Sequence, residues 1–195
     1  MSRGRRQYRV LAAAFSGLLV TLICGACASK HFSLGSVPFP AEKPVFVDDQ
    51  GRQQPGLPES SEPFRLVFLD YSWCPPCADA WKAVREASLD IPAGTVRVYR
   101  VLFDRERLLG KEGTDEIAPL RQVSPPDAGG MPVTTVMALA DPFRKRFGPD
   151  QAPLIILMDR KGKVLKKWTG ASHSLSAAIA SEVKRLSSSA PLPGR

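Results

Sequence analysis

FRLVFLDYSWCPPC, residues 64–77, is the stretch that decides how this chain is read. Residues 64–71 are apolar apart from Arg65 and Asp70, and they predict a buried strand. Residues 78–89 follow with Ala80, Trp81, Val84, Ala87 and Leu89 close to helical spacing. Cys74 and Cys77 therefore form a Cys-x-x-Cys pair at a strand-to-helix junction. That placement suits thiol–disulfide exchange. A helix N-terminus offers free N–H groups and the positive end of its dipole to a thiolate. A second cysteine one turn further in is close enough to close a disulfide.

The other two of the four cysteines, Cys24 and Cys27, share this spacing but lie at the edge of an N-terminal apolar segment. We read that repetition as coincidence. Arg3, Arg5, Arg6 and Arg9 precede an uncharged stretch over residues 10–29, which predicts a bacterial export signal over residues 1–28. Its end stays open. Gly25-Ala26-Cys27 resembles the end of a lipobox, which would put a lipid on Cys27. Ala26-Cys27-Ala28 is also an A-x-A site, and cleavage after Ala28 would release a soluble periplasmic protein. Left uncleaved, the stretch is just long enough to span a bilayer. All three endings place the folded part on the periplasmic side, and two of them tether it to the membrane.

The formal charge of +8 overstates the basicity of the rest of the chain. Four of the 27 basic residues are the arginines of the leader, so 23 remain against 19 acidic ones, a net +4. A mildly cationic surface of this kind argues against a nucleic-acid partner. The basic runs at 144–146 and 161–167 are read as solvated faces. The residues beyond the leader suffice for one domain with a sizeable core.

Along the chain, residues 29–43 read as a linker or irregular arm, and 44–54 as strand, turn and strand around Asp48 to Gly51. Residues 55–63 form a loop. The first helix is read from Cys77 to Leu89, Pro92 and Gly94 break it, and 95–104 is a second central strand. Residues 105–130 are less regular, with a short helix at 115–122. A strand at 133–138 is followed by a short helix at 141–147, opened by Asp141-Pro142. Residues 153–159 are a strongly apolar strand, 160–162 a turn, and 163–169 an antiparallel edge strand. Ser172 or Ser174 caps a last helix that runs to Leu186, with Leu175, Ile179, Val183 and Leu186 on one face. Residues 188–195 read as a disordered tail.

Three motifs make residues 44–187 resemble the exported TlpA/ResA-like branch of the thioredoxin-fold thiol–disulfide oxidoreductases. They are Trp73-Cys74-Pro75-Pro76-Cys77, Ala152-Pro153 directly before an apolar strand, and Asp159-Arg160-Lys161-Gly162-Lys163-Val164, which is similar to a D-x-x-G-x-V hairpin. The resemblance implies an α/β thioredoxin fold with a central mixed sheet flanked by helices, an N-terminal hairpin extension at 44–54 and an inserted strand–helix segment near 131–147. It implies a Cys74–Cys77 disulfide and a cis bond between Ala152 and Pro153. Cys74 is then the nucleophile and Cys77 the resolving thiol, with Trp73, Pro75, Pro76 and Ala152 in support. The cysteine pair is the redox group, with no other cofactor. Implied partners are protein thiols and disulfides, apocytochrome c among the candidates in cytochrome c maturation, and a membrane electron donor of the DsbD/CcdA type.

The chain departs from thioredoxin at Phe68, where that family carries a buried acid. Candidates for moving the Cys77 proton are Asp70, Arg100 and Glu86. Pro75 and Pro76 lack N–H groups, so the thiolate depends on the Cys77 N–H and the helix dipole. The prolines stiffen the turn and neither intervening residue is His, which leans the reading towards a reductase. A disulfide oxidase or isomerase, and a non-catalytic binding module on the same fold, are the alternatives. His31 and His173 lack metal-ligand spacing and read as surface residues, so no metal site is expected. The 104–130 segment is expected to be a surface excursion that could select partners.

Overall fold

The computed structural model describes residues 33–39, 46–48, 50–71, 74–103, 130–139 and 152–189. The leader with Cys27, Trp73, residues 104–129 and the expected helices at 115–122 and 141–147 lie outside them. Among the described residues no helix is long and apolar enough to cross a membrane.

Among the described residues seven strands form one sheet. β1 is Phe46–Val47, β2 Gln53–Gln54, β3 Phe64–Tyr71, β4 Val96–Phe103, β5 Val133–Ala138, β6 Leu154–Asp159 and β7 Val164–Thr169. Two helices of fifteen residues are described, α1 at Pro75–Leu89 and α2 at Leu175–Ser189. The strand order is β2-β1-β5-β4-β3-β6-β7. β3 pairs in parallel with β4, and β4 with β5. β6 and β7 return antiparallel on one side, and the β1–β2 hairpin closes the other side antiparallel to β5. The strand expected at 133–138 thus extends the parallel core outward and carries the hairpin on its edge.

The middle strands are apolar on both faces because both faces are covered. Leu66, Val67, Phe68 and Leu69 of β3 are buried, as are Ile155, Ile156, Leu157 and Met158 of β6. Alternation divides the side chains. Phe68 packs on Trp81 of α1, ring centroids 5.2 Å apart. Phe68, Asp70 and, in register, Arg100 therefore share the face that α1 covers. Tyr71 and Phe103 stack on the opposite face at 4.4 Å. α2 packs beside α1 and buries Leu175, Ile179, Ala180 and Val183, with Leu186 half-buried.

Local chemistry explains the turns. Asp48 accepts hydrogen bonds from the backbone N–H groups of Gln50 and Arg52, from Arg52 Nε and from Gln54 Nε2, all within 3.0 Å, and so folds the β1–β2 turn around itself. Gly162 closes the β6–β7 hairpin at φ 81°, a conformation that side chains with a Cβ avoid.

Three expectations need correction, and one open reading is decided. The first helix begins at Pro75 and not at Cys77, because prolines fit a first turn whose N–H groups have no intrahelical partner. Leu89 does not join its apolar face and is 75% exposed. Ser88 is buried instead, one turn on from Val84. Of the two readings of 29–43, linker or irregular arm, the described residues fit the arm. Gly35 donates to the Val164 carbonyl, and Val164 donates to the Ser36 carbonyl, both at 2.8 Å, so the arm satisfies backbone groups on the β7 edge. Phe39 then packs on Phe46, centroids 5.2 Å apart. Lastly, the expected tail starts inside a helix. Ser187, Ser188 and Ser189 lie within α2, and their hydroxyls donate back to carbonyls three or four residues earlier.

Candidate redox site

β3 ends at Tyr71, and α1 begins four residues later. The Cys74 N–H donates to the Tyr71 carbonyl and the Cys77 N–H to the Cys74 carbonyl, each at 3.0 Å, which turns the chain from strand to helix. Cys74 is the N-cap residue, with φ −103° and ψ 97°. Pro75 and Pro76 occupy the first two helical positions. Cys77, one turn in, is 2% exposed, whereas Cys74 is only half-buried. The two are joined by a disulfide with their Cα atoms 5.4 Å apart. Cys74 is the more exposed of the two and stands at the N-terminal end of α1, where the dipole favours a thiolate.

β6 brings the second half of the site. Leu69 pairs with Leu154, so Ala152 and Pro153 stand just beyond, at the end of the sheet where β3 gives way to Cys74. The Ala152–Pro153 peptide bond is cis. Pro153 is buried and its carbonyl accepts from the Gly170 N–H at 3.0 Å, while Ala152 is exposed. Three chain segments thus meet at one end of the molecule: the start of α1, the start of β6 and the turn after β7.

Beneath the first turns of α1 lies a charged pair. Arg100 Nε donates to Asp70 Oδ2 at 2.7 Å, with the two side chains 19% and 13% exposed. The Arg100 guanidinium also lies over the Trp81 ring, 5.0 Å from its centroid. Trp81 is one turn beyond Cys77 on α1 and contacts Phe68 on its other flank. Of the three candidates for the Cys77 proton, Asp70 and Arg100 come together on the α1 face. Glu86 does not join them: it is half-exposed and lies near Lys82, 3.9 Å away. The pairing of Asp70 with Arg100 was not evident from the sequence, because it depends on β3 and β4 being parallel neighbours in the Phe68–Arg100 register.

Other polar groups lie away from the cysteines. His173 is exposed and borders a cleft of about 410 Å³ with Asp79, Lys82 and Glu86. At the far end of the sheet Glu62 accepts from Arg97 Nε at 3.1 Å and Nη2 at 2.9 Å, and from Ser60 Oγ at 2.6 Å. The Arg97 bonds first, and then that of Ser60, hold the Glu62 carboxyl down at about 2 against the cost of its burial. Sequence reasoning missed this pair, since Glu62 sits in a loop with no motif around it.

No protein-family model matches this chain, and no curated protein does. Solved structures match it over most of its length. The thioredoxin domain of a thiol-disulfide oxidoreductase from Bacteroides vulgatus is 19% identical, with a TM-score of 0.55, over 77% of this chain and 98% of that one. A thiol:disulfide interchange protein from Bacteroides sp. is 16% identical, with a TM-score of 0.55, over 83% and 95%. The exposed lipoprotein thioredoxin of Streptococcus pneumoniae is 15% identical, with a TM-score of 0.50, over 72% and 97%. The chain has a thioredoxin-like fold: a central mixed sheet flanked by helices, with an N-terminal hairpin at its edge.

Proposed function

We propose that this protein is an exported thiol–disulfide oxidoreductase that reduces protein disulfides with Cys74 and Cys77. The observation that carries the reading is the pair itself, bonded across the first turn of α1, with Cys77 buried and Cys74 partly open. The names of the similar structures support the chemistry, and the lipoprotein among them supports export. Pro75 and Pro76 in place of a histidine support the reducing direction.

The cycle starts from the reduced pair. The Cys74 thiolate attacks one sulfur of a substrate disulfide, that bond breaks, and the departing substrate sulfur takes a proton from solvent. Cys77 loses its proton and attacks the Cys74 sulfur of the mixed disulfide. The second substrate thiol leaves, and two electrons have passed from the pair to the substrate. The oxidised pair then takes two electrons from a membrane dithiol donor of the DsbD/CcdA type. Ala152, exposed beside the pair, offers backbone groups to an extended substrate segment.

Trapping tests the roles. Cys77→Ser accumulates covalent substrate adducts and Cys74→Ser does not; adducts on the second variant alone would reverse the assignment. The potential of the pair tests the direction. A value near or below about −270 mV supports a reductase, and one near about −120 mV makes the protein an oxidant.

A further inference from the structure

The end of the sheet opposite the cysteines carries a surface that the redox reading does not use. β3 runs about 23 Å from Phe64 to Tyr71 at the cysteine end. Phe64 pairs with Asp159, so the β6–β7 turn lies at the far end. Arg160, Lys161 and Lys163 are all exposed there. Arg160 is pinned by a hydrogen bond to the Ser61 carbonyl. No carboxylate among the described residues pairs with Lys161 or Lys163. The docked arm runs beside this turn and adds apolar surface. Leu34 is 67% and Val37 53% exposed, two of three large apolar side chains so exposed among the described residues. Arm and turn are adjacent, since a Cβ at Gly162 would sit 3.7 Å from Val37. Between them opens a cavity of about 560 Å³ lined by Arg65, Arg160 and Lys161 and by one carboxylate, that of Glu59, and Arg65 Nε is buried with no hydrogen-bond partner among the described residues.

Exposed aliphatic side chains set among cations that lack a carboxylate partner among the described residues match the interface of an anionic bilayer better than bulk water. The sequence adds a reason for proximity. The uncharged stretch at 10–29 ends four residues before Ser33, where the described arm begins, a reach of at most roughly 15 Å.

We propose that this end of the domain docks reversibly on an anionic phospholipid surface, so that Cys74 and Ala152 face protein substrates while it is docked and reach the membrane donor on release. Headgroup phosphates meet Arg160, Lys161, Lys163 and Arg65, while Leu34 and Val37 enter the interfacial layer. The proposal rests on the reading that the N-terminal segment holds the protein at a membrane.

The full chain, mixed with phosphatidylglycerol or with phosphatidylcholine vesicles, tests both ideas separately. Sedimentation reports attachment, and amide hydrogen exchange reports which face is covered. The expected result is attachment to both lipids, with residues 33–37 and 160–164 protected on phosphatidylglycerol alone and 74–79 exchanging freely. The variant Arg160→Glu/Lys161→Glu/Lys163→Glu should lose that protection at least roughly tenfold. A salt titration of the unchanged protein should remove it too, whether or not the variant folds. Attachment only to phosphatidylglycerol, reversed by salt, would keep the docking face and discard the tether. Attachment to both lipids without charge-dependent protection would keep the tether and overturn the docking face. Attachment to neither would overturn both.

Discussion

β4 carries two arginines three residues apart, and they serve opposite ends and opposite faces of the sheet. Arg97 grips Glu62 at the far end; Arg100 grips Asp70 beneath the redox helix. The residue types match but the surroundings do not. Glu62 is 7% exposed and collects donors from Arg97, Ser60 and Ser61, while Arg97 also reaches Thr134. Nearly every lone pair of that carboxylate is used, which is what a pair needs in order to fasten a loop. Arg100 divides itself between Asp70 and the Trp81 ring. One pair is closed and structural, and the other stands next to the only described element that carries sulfur chemistry.

The contrast breaks first at Glu62. Glu62→Ala would leave the Arg97 guanidinium part-buried without its acceptor and free the loop at 55–63. Removing one partner of such a pair costs about 3 kcal/mol. Denaturant unfolding should show that loss, while the exchange rate of the folded fraction stays at the unaltered level. A parallel fall in exchange rate would mean that the two ends are coupled and that the division drawn above is wrong.

The same carboxylate gives a pH signature. Its folded value of about 2 lies below the ordinary 4.5, so the stability it contributes is present in full above pH 4.5. That stability is lost as the pH falls through the folded value. The whole shift would be worth more than 3 kcal/mol, but Arg97 is 27% exposed and solvent screens the pair, so about 2 kcal/mol is the expected loss. Unfolding free energies measured from pH 5 down to pH 2 should fall by that amount more in the unaltered protein than in Glu62→Gln. Equal slopes for the two would remove Glu62 as the source.

These pairs also mark how far the sequence could be read. β3, β4, β6 and the two described helices were legible because each rests on a local signal: an apolar run, a helical period, a turn glycine. The cysteine pair was legible because four consecutive residues carry its chemistry. What the sequence hid is what depends on register and on neighbours. Leu89 looked apolar and inward, yet two residues beyond Ala87 is nearly the opposite side of a helix. Whether residues 29–43 are a linker or an arm stayed open, because the anchor is the backbone of Val164, which leaves no mark in composition. Serines 187–189 looked like a tail because serine is a weak helix former, but their hydroxyls bond within the helix. Glu62 and Arg97 are 35 residues apart, and only the strand pairing brings them together.

Asp70 gives the smallest effect and the sharpest one. Cys77 is 2% exposed, so bulk water is a poor acceptor for its proton when it must attack the mixed disulfide. Phe68 cannot take the proton. Asp79 is exposed on α1, and Glu86 lies further along that helix near Lys82. Among the described residues, Asp70 is the carboxylate on the α1 face at the cysteine end of β3. Asp70→Asn can still accept a hydrogen bond from Arg100 but no longer takes a proton, and it leaves the guanidinium charge unbalanced. The two consequences have opposite signs. An uncompensated cation near α1 would favour the Cys77 thiolate and speed its attack; loss of a proton acceptor would slow it. Burial of Cys77 decides for the second, and we expect release of substrate from the mixed disulfide to slow about tenfold near neutral pH, close to 1.4 kcal/mol. Single-turnover release followed against pH reads this step apart from the first attack by Cys74. Asp70→Glu should recover part of the rate. Faster release in Asp70→Asn would assign the pair a purely electrostatic role and return the Cys77 proton to solvent.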